Sequence, residues 1–319
     1  MKKIIFLVLS ALLLLSLASC GGVPEEKDNG KINVVVTIFP AYDWVREIAD
    51  GTENLNLELL CDSGVDMHSF QPSVKDVLAI SSCDVFIYVG GESDEWVDDA
   101  LENAENDDMI VIDLLDVLGD AAKAEETVEG MQSGKKGGGH EEYDEHVWLS
   151  LRNAKLYVNY IADILSEADG ENAKTYVENA ESYAGKLDEL DERYETEANN
   201  AKNKVLVFAD RFPFRYLFDD YGLSYCAAFE GCSAETEASF ETIVFLTEKV
   251  DELGLEDILI TDGGDGKLAE TVAASTKSHE KNILSLDSMQ SVTKKDMQEG
   301  ETYLSVMEKN LSVLKTALG

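Results

Sequence analysis

Positive charge is scarce in this 319-residue chain: 26 Lys and Arg stand against 64 Asp and Glu, a formal net charge of −38. A broad face for a phosphate backbone would work against that field, so nucleic acid is excluded as a partner. There are only four histidines and five cysteines, and no CxxC, which removes zinc ribbons and thioredoxin-like redox sites. The chain also has no GxxxxGK(S/T), GxSxG or HExxH, so a phosphate loop, a nucleophile elbow and a zincin helix are missing. Gly264 to Ala269 (GDGKLA) superficially imitates a dinucleotide fingerprint, but it falls too late in the chain and lacks the acidic residue after a second strand. Beyond the N-terminus no apolar run reaches the roughly 18 residues that a membrane helix needs. What the chain does have is 45% apolar residues, enough for one large core or two medium ones.

The N-terminus carries its own message. Lys2 and Lys3 precede an apolar run to Ala18, and Leu17-Ala18-Ser19-Cys20 ends it with small residues before a cysteine, the pattern of a secretory signal. This stretch resembles the lipobox of bacterial lipoproteins, which implies a signal peptide over residues 1–19 and acylation of Cys20. Without residues 1–19 the chain has 24 basic and 64 acidic residues, so the exported body is more acidic still. Residues 20–31 read as a flexible tether. Four cysteines remain in the body, Cys61, Cys83, Cys226 and Cys232, and three pairings are open to them.

From residue 32 strand-like and helix-like patterns alternate. β-branched or apolar runs at 32–38, 55–60, 85–89 and 109–112 read as strands, and helical spacing appears at 42–49, 74–82 and 96–104. Residues 122–145 are acidic and glycine-rich and read as a long mobile loop. Residues 149–204 hold apolar positions at helical spacing with few breakers, giving two or three helical segments, one of them long. A second series follows, with strands at 205–208, 223–227, 257–261 and 283–286 and helices at 240–252, 268–275 and 302–318. Such alternation predicts an α/β fold of two βα lobes with parallel sheets: residues 32–150, joined through linking helices at 151–204 to residues 205–319, with a cleft between the lobes.

Each histidine can be weighed. His68 lies in a polar loop directly after a predicted strand, where an α/β lobe places ligand sites. His146 sits where the acidic loop gives way to apolar sequence, beside Asp144 and Glu145, and a carboxylate can hold the ring tautomer that frees the other nitrogen for a metal. His140 lies in a run of acids that a solvated charged loop also explains, and His279 reads as surface.

The segments VDMHSFQPS (65–73), GGGHEEYDEHVWLS (137–150), FPFRYLFDDYGL (212–223), FEGCSAETEAS (229–239) and GETYLSVMEKNLSVL (300–314) resemble the solute-binding lipoproteins of bacterial zinc and manganese ABC importers. The resemblance implies two α/β lobes, a rigid backbone helix and one metal ion in the cleft. It places metal ligands on His68, His146 and Asp287 and suggests His140 for an accessory acidic loop. A third histidine of the family falls on Arg211, which has no lone pair to offer. There Asp210 substitutes, or a water or another carboxylate fills the place, or the cargo has changed. Glu230, Glu235 and Glu237 are expected to bond loop backbone and Arg211 or Arg215.

The expected function is therefore capture of Zn2+, with Mn2+ second, by a monomeric protein lipid-anchored on the extracytoplasmic face of the cell membrane and delivering to an ABC permease, with no catalysis. The rivals are a zinc hydrolase using His68, His146 and Asp287 with an open coordination place, and an adhesin on the same fold.

Overall fold

A computed structural model describes residues 30–132, 143–233 and 237–319. The signal segment, Cys20, His140 and Glu235 lie outside the described residues. The first lobe is built on β1 (Ile32–Val36), β2 (Leu55–Leu59), β3 (Val85–Tyr88) and β4 (Ile110–Asp113), the second on β5 (Val205–Phe212), β6 (Ser224–Glu230), β7 (Asp257–Thr261) and β8 (Asn282–Leu286). Every pairing is parallel, and the two sheets share one winding: β2-β1-β3-β4 and β6-β5-β7-β8. The central strands are almost continuously apolar because helices cover both faces. Val34, Val36, Val85, Phe86 and Ile87 are fully buried.

In chain order the helices are α1 (Phe39–Ile48), α2 (Val74–Ser82), α3 (Trp96–Leu101), α4 (Leu114–Leu118), α5 (Leu151–Ala168), α6 (Ala173–Asn200), α7 (Arg215–Asp220), α8 (Phe240–Leu253), α9 (Lys267–Ser275), α10 (Lys294–Gln298) and α11 (Tyr303–Leu318). Their starts are encoded locally. Ser73 and Asp76 form a reciprocal capping box on α2, and Ser150 and Ser239 cap α5 and α8. The linking region is two helices, and the 28 residues of α6 span about 42 Å.

Two expectations need correction. The first strand of the second lobe does not stop at Phe208 but runs to Phe212 across a register shift between Phe208 and Arg211. The polar residues Asp210 and Arg211 hid this extension, although a strand end facing a cleft tolerates them. The segment expected as a mobile loop of the first lobe is, where described, tied to the second sheet at Gln132 and buried at Asp144 and Glu145. Gln132 bridges Phe229 with its amide donating to the carbonyl of Ala228 (2.9 Å), and Asp144 and Glu145 are 2% and 1% exposed. Backbone donors and acceptors at the β6 edge and buried side-chain partners compensate for its weak apolar pattern.

Ile32–Gly319 is one unit. A single apolar cluster runs from Val34 and Val36 in the first sheet through Trp44, Trp148, Tyr157 and Tyr303 to Phe208 and Phe218 of the second lobe. Trp44 stacks on Tyr157 at 5.6 Å and meets Tyr303 edge-on at 5.3 Å, tying α1, α5 and α11 together. The amide of Tyr303 donates to Asp43 Oδ2 at 2.8 Å, so the terminal helix is fastened to the first lobe as well as to β8. The lobes therefore share a core rather than hanging on a bare hinge.

Four carboxyls withdrawn from water have raised pKa values: Asp43 to about 6, Asp94 to about 7, Glu125 to about 7 and Asp287 to about 6, burial being the leading cause in each. In the unfolded chain they titrate near their ordinary values of about 4. Between pH 4 and 7 the folded state therefore holds more protons than the unfolded one, and stability falls as pH rises through that window. His68, lowered to about 3, opposes this trend but is one group against four. The metal-free protein should melt about 5 °C or more higher at pH 5 than at pH 7.5. Thermal melts across that range check it, and a melting point that rises with pH would contradict the assignment.

Candidate metal centre

The carboxyl ends of both sheets meet in the cleft, and the loops leaving them carry the polar groups. After β2, a single 3-10 turn (Met67–Ser69) presents His68, its amide donating to Asp66 Oδ1 at 3.0 Å. After β3, the turn through Gly90 and Gly91, both at positive φ, brings Ser93 beside it. A Cβ on Gly91 would collide with the Glu145 carboxylate, so glycine there permits the close approach. His68 Nδ1 lies 2.5 Å from Ser93 Oγ and 3.4 Å from Glu145 Oε2, while Ser93 N donates to Glu145 Oε1 at 2.8 Å.

His146, fully buried, immediately precedes the turn Val147–Leu149 that leads into α5. Its amide and its Nδ1 both lie 2.9 Å from Asp144 Oδ1. With both Nδ1 atoms held by partners, the two Nε2 atoms face each other at 3.2 Å. Two imidazoles on one tetrahedral zinc, at 2.0–2.1 Å each, would set their nitrogens about 3.3 Å apart. The pair is spaced for a single ion. A third donor atom is near: His68, His146 and Cys232 each offer an atom, and all three lie within 4.8 Å of one another.

The surroundings push the two rings in opposite directions. Burial works against the imidazolium of His146, but Asp144, Glu125 and Glu145 outweigh it and raise its pKa. His68 is pushed down to about 3 by burial and by the charge of His146. The consistent proton assignment has the His146 Nε2–H shared between the amide oxygen of Gln290 at 2.7 Å and the Nε2 of His68 at 3.2 Å, while the Nδ1–H of His68 donates to Ser93. An entering cation would displace that intervening proton and meet three carboxylates behind it.

Across the cleft, Arg211 Nη2 pairs with Asp66 Oδ2 at 2.7 Å, linking the end of β5 to the His68 turn. Burial tends to raise the pKa of Asp66, yet Arg211 and the His68 amide hold it below the usual carboxylate range. Arg211 is thus braced by Asp66, not by Glu230 or Glu237. Glu230 accepts from the Thr127 hydroxyl, and Arg215 pairs with Glu126. Gln290, oriented to satisfy both ends of its amide, donates to both oxygens of Asp66 at 3.1 Å and accepts from His146 Nε2 at 2.7 Å.

The structure does not bring Asp287 or Asp210 into this cluster. Asp287 sits at the end of β8, where its Oδ1 accepts from Met289 N and its amide donates to Asn310 of α11, both at 2.8 Å. The chain turns at Met289 (φ 62°) before Gln290 reaches His146. Asp210 is turned back on its own strand end, accepting from the amides of Arg211 (2.8 Å) and Thr261 (3.3 Å). His279 is exposed, with Nδ1 2.6 Å from the carbonyl of Ala274. Sequence reasoning passed over Cys232, Gln290, Ser93 and Asp66. For Cys232 a usable signal existed: it immediately follows a strand of the second lobe, as His68 follows one of the first. All four described cysteines are free.

Two like-wound parallel sheets with a histidine pair in the cleft between them define a bilobal solute-binding protein. The chain belongs to the ZnuA family, whose model, "Zinc-uptake complex component A periplasmic", matches residues 34–317. It is 34% identical to the zinc-binding lipoprotein AdcA of Streptococcus pneumoniae over 321 residues, covering 99% of this chain and 61% of that protein. It thus spans about three-fifths of the length of that relative. It is 27% identical to the high-affinity zinc uptake system protein ZnuA of Bacillus subtilis, covering 99% of this chain and 98% of the relative. Among solved structures, the Zn(II)-bound ZnuA-like domain of S. pneumoniae AdcA superposes with a TM-score of 0.71 at 32% identity, covering 91% of this chain and 99% of that one. The metal-dependent lipoprotein YcdH of B. subtilis superposes at 0.73 with 27% identity, covering 90% and 99%.

Proposed function

We propose that this protein captures Zn2+ between its lobes through His68 and His146 and delivers it to an ABC permease, working as a monomer held at the extracytoplasmic face by lipid on Cys20. The observation that carries the reading is the pair of Nε2 atoms 3.2 Å apart with both Nδ1 atoms tied. The family and its zinc-binding relatives agree with it. Asp287 and Asp210 stand outside this donor set, and we assign them no metal bond. Among the described residues no helix is long and apolar enough to cross a membrane. Capture needs lone pairs and exclusion of water rather than a nucleophile. The fully buried His146, reached by Gln290, meets that need without a general base.

The test is competitive titration of the metal-stripped body from Gly21 onward with Zn2+ and Mn2+. One zinc per chain is expected, with a preference over manganese of about 100-fold or more, since imidazole donors suit zinc and manganese prefers oxygen. Weak, multiple binding of both ions, or turnover of esters or phosphoesters by the zinc-loaded protein, would overturn the reading.

A further inference from the structure

We propose that Cys232 supplies a thiolate to the ion held by His68 and His146, so that the cargo site is two imidazoles and one sulfur and selects thiophilic cations over manganese. This rests on the reading of the histidine pair as the capture site. Among the described residues, these three form the one group of His, Cys, Asp or Glu side chains whose donor atoms converge within 4.8 Å.

The loop that carries Cys232 is built to bring it there. Gly231 donates its amide to Glu125 Oε1 at 2.9 Å, and Ser233 N closes the turn on the carbonyl of Glu230 at 3.2 Å. Gly231 is pressed against the ring of His146: a Cβ there would lie 3.0 Å from Cε1 and 2.9 Å from the carbonyl of Phe212. Only glycine lets the backbone come this near, and the next side chain is the cysteine. Glu125 in turn belongs to the segment that Gln132 aligns along β6. Its Oε2 is buried without a hydrogen-bond partner.

A tetrahedral ion bound to nitrogen at about 2.05 Å and sulfur at about 2.3 Å needs N···S near 3.6 Å, so from a separation of no more than 4.8 Å Cys232 has at most about 1.2 Å to close. Binding replaces the S–H bond of Cys232 with a metal–sulfur bond and releases that proton to solvent, while the imidazoles bind through ring-nitrogen lone pairs. No electron changes hands. The resulting single positive charge lies among Asp144, Glu145 and Glu125. Thiolate favours zinc, cadmium and cobalt(II), and gives manganese little. The thiolate thereby adds to the preference for zinc that the two imidazoles already give.

Cobalt(II) reads the donor directly. In the metal-stripped protein, cobalt should produce a thiolate-to-cobalt charge-transfer absorption in the near ultraviolet that persists in Cys226→Ser and vanishes in Cys232→Ser. Zinc affinity should fall about 30-fold or more in Cys232→Ser, with the weak manganese affinity changed less than about threefold and the metal-free melting point close to that of the parent. Cobalt bound by the unaltered protein without that absorption, or undiminished zinc affinity in Cys232→Ser, would overturn the thiolate while leaving the histidine pair standing. Failure of the unaltered protein to bind either zinc or cobalt would overturn both. The spectrum of the unaltered protein does not depend on whether any variant folds.

Discussion

His146→Ala should lose zinc almost entirely, with affinity falling about 1,000-fold or more, and His68→Ala should follow closely. Each change removes one of the two imidazoles that converge on the ion, and the loss corresponds to about 4 kcal/mol. The two variants part company in stability. His146 is fully buried with its Nδ1 2.9 Å from Asp144, so its removal leaves a buried carboxylate without that partner, which costs about 3 kcal/mol or more. His68 is neutral and partly open to solvent, so His68→Ala should melt within a few degrees of the parent. His279→Ala and His140→Ala are the controls and should bind zinc as the parent does. Titration calorimetry with thermal melts on all four proteins decides the matter. Equal losses of affinity across the four would mean that zinc is attracted diffusely to an acidic surface and that no cleft site exists.

The second large effect falls on Trp148. This ring is 1% exposed, its Nε1 donates to the carbonyl of Ser288 at 2.9 Å, and its own carbonyl accepts from the Tyr303 hydroxyl at 2.7 Å. It also packs against His146 with ring centroids 5.3 Å apart. It therefore joins the first lobe, the turn after β8 and α11 at the point where the histidine is held. Trp148→Ala should cost about 3–5 kcal/mol through the cavity it opens, lowering the melting point by about 10 °C, and should weaken zinc as His146 gains freedom. Trp148→Phe keeps most of the buried area but strands the carbonyl of Ser288, so it should cost about 1–3 kcal/mol and leave zinc affinity within about tenfold. Chemical denaturation and zinc titration of the two variants check the order. A cost below 1 kcal/mol for Trp148→Ala would show that the contact between the lobes is not held here.

How much of this was legible in the chain follows from the range of the interactions involved. Strand and helix patterns arise between residues a few positions apart, so apolar runs such as 85–89 and the helical spacing of 302–318 declared themselves, as did the α/β class with its two series of parallel strands. His68 stood out in a polar loop after a strand and His146 beside carboxylates at the end of the acidic loop, and it was the family resemblance that placed metal ligands on both. Pairings between distant residues left no such trace. Asp66 and Arg211 are 145 positions apart, Trp148 reaches Ser288 across 140, and no local pattern marks either contact. The sequence by itself determined the class of fold and two of the converging side chains, because each rests on local periodicity or on a compact motif. Only the tertiary structure decided that Gln290 rather than Asp287 touches His146, that Arg211 is spent on Asp66, and that Cys232 comes within 4.8 Å of the histidine pair. Those outcomes depend on where two sheets and a shared core bring the loop ends, and loop ends carry no periodicity from which their meeting point could be read.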